Sequence, residues 1–268
     1  MTKSDLFFIL GPCAMDSEAL VLKTAVGLAA IAAARQRRIV FKASWDKANR
    51  TQLDAFRGPG LQEGLRLLER VRAETELEVL TDVHRPEDVA AVAEVADLVQ
   101  VPAFLCRQTD LIVAVASCGR PMLLKKGQFL SPGDLGFVYE KAVRSGAASV
   151  WLTERGTSFG YGDLVVDMRG LVTLRELAQR PTDGVVFDAT HSLQRPGQGG
   201  ETGGDRRFLG ALARAAVAVG VDALFAEVHP DPEHAASDRA TQLPLDAADD
   251  FVAKLSAFDE ACRSTSPF

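Results

Sequence analysis

The chain has 268 residues, 47% hydrophobic and 25% charged, which is ordinary globular composition rather than disordered or fibrous. Thirty Lys and Arg against 36 Asp and Glu give a formal charge of −6, which disfavours nucleic acid and anionic membrane as general partners. Ala25 to Ala34, the most apolar stretch, is too short to cross a bilayer, and no basic leader followed by an apolar segment predicts a secretory signal.

Taken in chain order, short β-rich runs alternate with amphipathic helical patterns. Leu6–Leu10 precedes Ser17–Arg35, Ile39–Ala43 precedes Gly60–Thr75, Glu78–Asp82 precedes Pro86–Val95, and Leu98–Val101 precedes Gln108–Cys118. Met122–Lys125 precedes Pro132–Ser145, Ser149–Thr153 precedes Met168–Gln179, Val185–Asp188 precedes Arg206–Val219, and Ala223–Glu227 precedes Ala247–Ala261. The runs are apolar with little alternation, as parallel strands buried on both faces are. Ser131-Pro132 reads as a helix N-cap followed by proline in the first turn, and Pro86-Glu87-Asp88 as an acidic first turn. Gly119, Gly146 and Gly220 follow helical segments, where a left-handed residue is wanted.

Eight β-then-α units over residues 1–268 predict a single-domain α/β chain folded as a (β/α)8 TIM barrel. A doubly wound open sheet is the alternative, but Gly11-Pro12-Cys13 is not the glycine-rich phosphate loop expected after its first strand. The long irregular segment Gln194–Asp205, half Gly or Pro, reads either as a floppy surface loop or as a lid over an active site; the lid reading is preferred. The four cysteines form no CxxC pair, so neither a disulfide framework nor an oxidising compartment is expected; the cytoplasm is.

In such a barrel the chemistry collects at the C-terminal ends of the strands. There the sequence places Cys13; Lys42, Lys47, Asn49 and Arg50; Asp82 and His84; Arg107; Lys125, Lys126 and Gln128; Glu154 and Arg155; Asp188 and His191; and Glu227 and His229. Any one lysine could pair with Asp82 or Glu154. Six cations converging on one mouth (Lys42, Lys47, Arg50, Arg107, Lys125 and Arg155) point instead to an anionic ligand carrying phosphate and carboxylate. Cys13, His191, Glu227 and Asp238 are acceptable ligands for a divalent transition metal and follow runs that become neighbours when a barrel closes, although each alone is more often structural. His229 and His234 are loop or supporting residues, and Trp151 is core.

The strings GPCAMDSEAL, FKASWDKANRT, RGPGLQEGL, TDVHRPED, QVPAFLCRQTDL, KKGQFLSPG, ERGTSFGYGDLVVDMRGL, FDATHSLQRPG and AEVHPDPEHAASD, in this order and over nearly the whole chain, resemble the 3-deoxy-D-manno-octulosonate 8-phosphate synthases. The resemblance implies a (β/α)8 enzyme, commonly a homotetramer. Such an enzyme condenses phosphoenolpyruvate with arabinose 5-phosphate and water and releases inorganic phosphate, in a step of lipopolysaccharide (KDO) biosynthesis. It implies that Lys42, Lys125 and Arg155 hold phosphoenolpyruvate with Lys47 and Gln128 nearby, and that Asn49 and Arg50 engage the sugar phosphate. It further implies that Asp82 and His84 lie in the site and that Arg107 with Thr202 reaches a neighbouring subunit's sugar-phosphate site. Related synthases that use erythrose 4-phosphate carry a KPRT-like segment where this chain has Lys47-Ala48-Asn49-Arg50. Cys13 in place of Asn, and Ala236-Ser237-Asp238 without a Cys before the Asp, resemble the metal-dependent branch. That branch implies Cys13, His191, Glu227 and Asp238 as ligands of a divalent metal such as Fe2+, Zn2+ or Mn2+. The departures from the pattern are Trp45 for Phe, Gly127 for Pro, Asp16 for Glu, and Arg239 for a small residue.

Overall fold

Strand side chains alternate between two faces, so a run that is apolar throughout must be covered on both. The computed structural model describes residues 5–50, 52–198 and 201–264, and in it eight such runs form β1 (Phe7–Gly11), β2 (Ile39–Lys42), β3 (Glu78–Asp82), β4 (Leu98–Val101), β5 (Met122–Lys125), β6 (Val150–Glu154), β7 (Gly184–Asp188) and β8 (Ala223–His229). Each pairs in parallel with the next, and β1 pairs with β8 from Phe7↔Ala223 to Gly11↔Glu227, so the sheet closes into a ring. Around it lie α1 (Glu18–Arg35), α2 (Leu61–Thr75), α3 (Val89–Val95), α4 (Thr109–Ser117), α5 (Leu135–Arg144), α6 (Arg169–Leu177), α7 (Leu209–Val219) and α8 (Leu245–Ser264). This is the (β/α)8 barrel, not the open sheet. Among the described residues no helix is long and apolar enough to cross a membrane.

The alternation divides the apolar residues into two cores. Phe7, Ile9, Val40, Leu80, Leu123 and Phe225 fill the barrel, while their neighbours Phe8, Leu10, Phe41, Val79, Leu124 and Leu224 pack outward against the helices. Trp151 closes the lower barrel, edge-on to Phe7 with ring centroids 5.1 Å apart. Its indole occupies the space beside Gly184, where an added Cβ would stand 2.3 Å from the ring. Gly184→Ala is therefore expected to cost about 1–3 kcal/mol of stability, seen as a lower midpoint in urea unfolding; an unchanged midpoint would refute this packing argument.

Strand limits differ from the sequence expectation by one or two residues at an end. β8 runs on to His229 because a short strand, Leu243–Pro244, pairs with Val228 and His229. Three helix starts and one loop need correction. The fifth helix starts at Leu135 rather than Pro132, because the Ser131 hydroxyl accepts the Asp134 amide at 3.1 Å and closes a turn first. The third and the seventh begin as 3-10 turns, Pro86–Asp88 and Arg206–Phe208. The segment after β7 is not irregular: Gln194–Gln198 and Glu201–Gly204 form an antiparallel hairpin, with Gly199 and Gly200 outside the described residues. Gly119, Gly146 and Gly220 adopt the expected left-handed conformation, with φ of 80°, 90° and 103°.

Candidate active site

The parity that builds the barrel core carries on upward into a polar layer. Above Val40 stands Lys42, above Leu80 Asp82, above Leu98 Gln100, above Leu123 Lys125, above Val186 Asp188 and above Phe225 Glu227, all buried. All but Glu227 line a cavity of about 590 Å³ at the C-terminal end of the barrel, and His84, Gln128, Arg155 and His191 also line it. The same parity corrects the reading of Lys126 and Glu154, which turn outward. Their charged atoms lie 3.5 Å apart, and the Lys126 ammonium donates to the carbonyls of Leu130 and Gly156 at 3.1 Å, tying the β5 and β6 loops together.

Four cations face the cavity from its floor and wall. Lys42 donates to the Ser44 hydroxyl at 2.7 Å and lies 3.9 Å from Asp82, and Lys47 donates to the same hydroxyl at 3.1 Å. Burial works against the charge on Lys47, but the carboxylates of Glu227, Asp82 and Asp238 outweigh it and hold its ammonium above the usual lysine range. Lys125 pairs with Asp188 and sits 3.2 Å from the centroid of the Phe225 ring. Burial pushes Lys125 down to about 8, against the support of Asp188. Arg155 donates through Nη2 to Gln194 at 2.6 Å; its Nη1 is buried with no hydrogen-bond partner, and burial pushes the guanidinium down. Burial alone would raise Asp82 and Asp188. Lys42 and His84 hold the first below the carboxylate range, and His191 and Lys125 the second.

Arg50 lines the rim, with its guanidinium engaged by the Phe56 carbonyl and Ser237 hydroxyl at 2.8 Å and the Ala236 carbonyl at 3.2 Å; among the described residues no carboxylate pairs with it. Asn49 and Thr202 also line the cavity and are exposed, and Thr51 lies outside the described residues. Arg107 does not converge with the other cations. The chain after β4 turns through Ala103–Leu105 with Cys106 buried, which leaves Arg107 exposed and outside the lining. His84 Nε2 is 3.2 Å from Asp82 Oδ2, and its ring meets Trp45 edge-on. The Trp45 indole donates to the Asp82 carbonyl at 2.8 Å, a bond that Phe could not make. Asp16 accepts the Ala236 amide at 2.9 Å and lies 3.5 Å from buried His229, so both support the loop after β8; His234 is exposed. Arg239 donates to the Ala235 carbonyl in the same loop.

Beside the cations, donor atoms of Cys13, Glu227 and Asp238 lie within 4.8 Å of one another. Gly11 makes this possible from the β1 side. Its φ is +152°, and a Cβ there would stand 2.0 Å from the Lys42 carbonyl, so only glycine lets the chain fold over β2 and deliver Cys13. Asp238 has a left-handed φ of 49°, and Gln242 holds both sides, accepting the Cys13 amide at 3.2 Å and donating to the Ser237 carbonyl at 2.8 Å. His191 borders the cluster without joining the three: Nε2 is 3.4 Å from Glu227, while Nδ1 lies 2.7 Å from Asp188, poorly aligned for a hydrogen bond. Both Glu227 carboxylate oxygens are buried without a hydrogen-bond partner, beside a thiol that burial and Glu227 push up. A buried carboxylate left bare is costly unless a cation meets it. Sulfur, imidazole and two carboxylates are a donor set for a divalent transition metal, with Asp188 placed to orient the imidazole.

Gln100, Gln194 and Gln242 were not singled out from the sequence, and Ser44 and Asp188 were placed at strand ends without a role. Only their place beside a chemically marked neighbour distinguishes them. A family model described as "DAHP synthetase I family" matches residues 2–263. The chain is 51% identical over 259 residues to a 2-dehydro-3-deoxyphosphooctonate aldolase of Acidithiobacillus ferrooxidans, covering 96% of this chain and 91% of that one. It is 51% identical over 259 residues to the protein of that name from Syntrophotalea carbinolica (96% and 92%), and 51% over 261 residues to that from Dechloromonas aromatica (96% and 92%).

Proposed function

The chain belongs to the DAHP synthetase I family, and on that footing we propose that it condenses phosphoenolpyruvate with D-arabinose 5-phosphate and water to give 3-deoxy-D-manno-octulosonate 8-phosphate and inorganic phosphate, a step of KDO biosynthesis. The observation that carries this reading is a blind cavity of about 590 Å³. At its floor lie buried Lys42, Lys125 and the unpartnered Nη1 of Arg155, a setting for a small, highly charged anion.

Phosphoenolpyruvate is assigned to Lys42, Lys125 and Arg155, with Lys47 and Gln128 beside it. The sugar phosphate is assigned to the rim, at Asn49 and Arg50. The C3 carbon of the enol attacks the sugar aldehyde, a water oxygen joins C2, and phosphate leaves. The cations hold two phosphorylated compounds against their mutual repulsion and in line for carbon–carbon bond formation. Asp82 stays ionised between Lys42 and His84, and His84 is assigned the proton transfer at the aldehyde oxygen. A divalent transition metal (Fe2+, Zn2+ or Mn2+) held by Cys13, His191, Glu227 and Asp238 supplies Lewis acidity and an orienting charge when bound. The cytoplasmic assignment is supported by Cys13, whose sulfur must stay reduced to serve there.

The test is phosphate release with phosphoenolpyruvate and one sugar phosphate at a time. Release is expected with arabinose 5-phosphate and none with erythrose 4-phosphate; the reverse selectivity would make the chain the sister synthase, and no release with either would leave an anion-binding barrel. A homotetramer is part of the proposal, supported by exposed Phe104, Phe129 and Phe137 on the β4 and β5 loops and α5, apolar area that a subunit contact would cover. In it Arg107 reaches a neighbour's sugar-phosphate site together with Thr202. Arg107→Ala is expected to raise the KM for the sugar phosphate at least tenfold more than that for phosphoenolpyruvate. Equal changes in initial-rate kinetics would remove Arg107 from the site.

A further inference from the structure

Gln194 stands between the two halves of the site. Its Oε1 accepts from Arg155 Nη2 at 2.6 Å, and its Nε2 donates to Asp238 Oδ1 at 2.8 Å. The direction of the amide is fixed by chemistry, since a guanidinium only donates and a carboxylate only accepts. Each neighbour has its other face turned to a ligand. Arg155 keeps Nη1 buried and unpartnered, while the second Asp238 oxygen, Oδ2, lies against Cys13 Sγ at 3.1 Å. Asp238 also has a left-handed backbone, with φ 49°, and the Ser237 hydroxyl donates to the same Oδ2 at 3.4 Å.

We propose that Gln194 is a positioning residue that couples the anion site to the metal site, so that occupation of either tightens the other. This rests on the assignment of phosphoenolpyruvate to Arg155 and of the metal to the Cys13 cluster. An anion on Nη1 fixes the Arg155 plane, which fixes the Gln194 amide, which holds Asp238 aimed at the cation. The same chain runs in reverse, and the two couplings must be equal because they share one thermodynamic cycle. Gln194 is also the first residue of the hairpin after β7, paired with Gly204, and Pro196 and Thr202 from that hairpin line the cavity. The amide therefore sets the root of that hairpin as well.

Co2+ serves as the probe, because sulfur ligation gives it a charge-transfer absorption that reports binding without turnover. Co2+ affinity is measured on the full chain with and without phosphoenolpyruvate, and phosphoenolpyruvate affinity with and without Co2+, in the absence of sugar phosphate. Wild type is expected to show a coupling of about tenfold, equal in both directions. Gln194→Met fills the same space without either bond and is expected to lower that factor at least threefold. A smaller loss, or a wild type without coupling, overturns the proposal. If the Met variant does not fold, Gln194→Glu decides: it keeps an acceptor for Arg155 and loses the donor to Asp238. The coupling factor is then expected to fall at least threefold. A coupling factor equal to that of wild type would mean that Gln194 only props the fold. Failure of wild type to bind Co2+ or phosphoenolpyruvate would instead sink the site assignment itself, a result distinct from binding without coupling.

Discussion

Cys13→Ala is expected to leave a folded protein that releases no measurable phosphate, a loss of at least about a thousandfold, because it removes the sulfur from a closed set of donors. Folding should survive the change. Gln242 holds the Cys13 loop through the backbone amide, not the thiol, and Gly11 still carries the chain over β2. The lost sulfur packs in a buried spot, where such a truncation costs about 1 kcal/mol. Exhaustive chelation of wild type should give the same inactive state, and activity should return when Mn2+ or Co2+ is added to wild type but not to the variant. Thermal melting, metal content and phosphate release on the same samples separate loss of metal from loss of fold. Full activity in the variant, or in metal-free wild type, would sink the metal assignment.

Lys125→Met should lower kcat/KM for phosphoenolpyruvate by about a hundred- to a thousandfold, the range for removing one buried charged donor from a developing anionic site. It also strips the fully buried Asp188 carboxylate of its ammonium partner, leaving it to His191 and the Thr190 hydroxyl. A stability loss of about 3–5 kcal/mol is expected alongside, visible in urea unfolding. The same lysine sets a pH limit. Burial holds it near 8, and binding an anion requires the ammonium form. As pH rises through about 8 in the free enzyme the proton is lost, and kcat/KM for phosphoenolpyruvate should fall about tenfold per further pH unit. Asp188 stays ionised throughout and contributes no limb in that range. Lys125→Arg, whose charge persists, should move the limb to higher pH. A profile flat to pH 9.5 in wild type would show that this ammonium is not required.

The barrel was legible because each of its strands is buried twice, which leaves an apolar run that few other structures produce. The site was legible for a related reason: Lys42, Asp82, Lys125 and Glu227 are charges inside such runs, where burial needs a purpose. What could not be read was parity. Lys125 and Lys126 are adjacent and chemically identical, yet one faces the cavity and the other the β5–β6 loops, and only the register decides. Arg107 had the right chemistry but lies exposed and outside the cavity lining. Gln194 and Gln242 were hidden for the opposite reason, since a glutamine in a polar loop is unremarkable until both ends of its amide are seen to be engaged. The hairpin from Gln194 was masked by glycine and proline, which are poor strand formers. Three of the four metal-type residues bring donor atoms within 4.8 Å of one another while His191 stands at the border, 3.4 Å from Glu227, a distinction that no spacing in the chain encodes.

Phe7, Trp151 and Phe225 fill the barrel beneath Lys42 and Lys125, so the polar layer is the bottom of a well and not a station along a tunnel. Traffic in a well is single file. Whatever is held by Lys42, Lys125 and Arg155 must arrive before the compound that rests above it, and a sugar phosphate that enters early stands in the way of its own partner. High concentrations of the outer compound should then slow turnover, while the inner one only saturates.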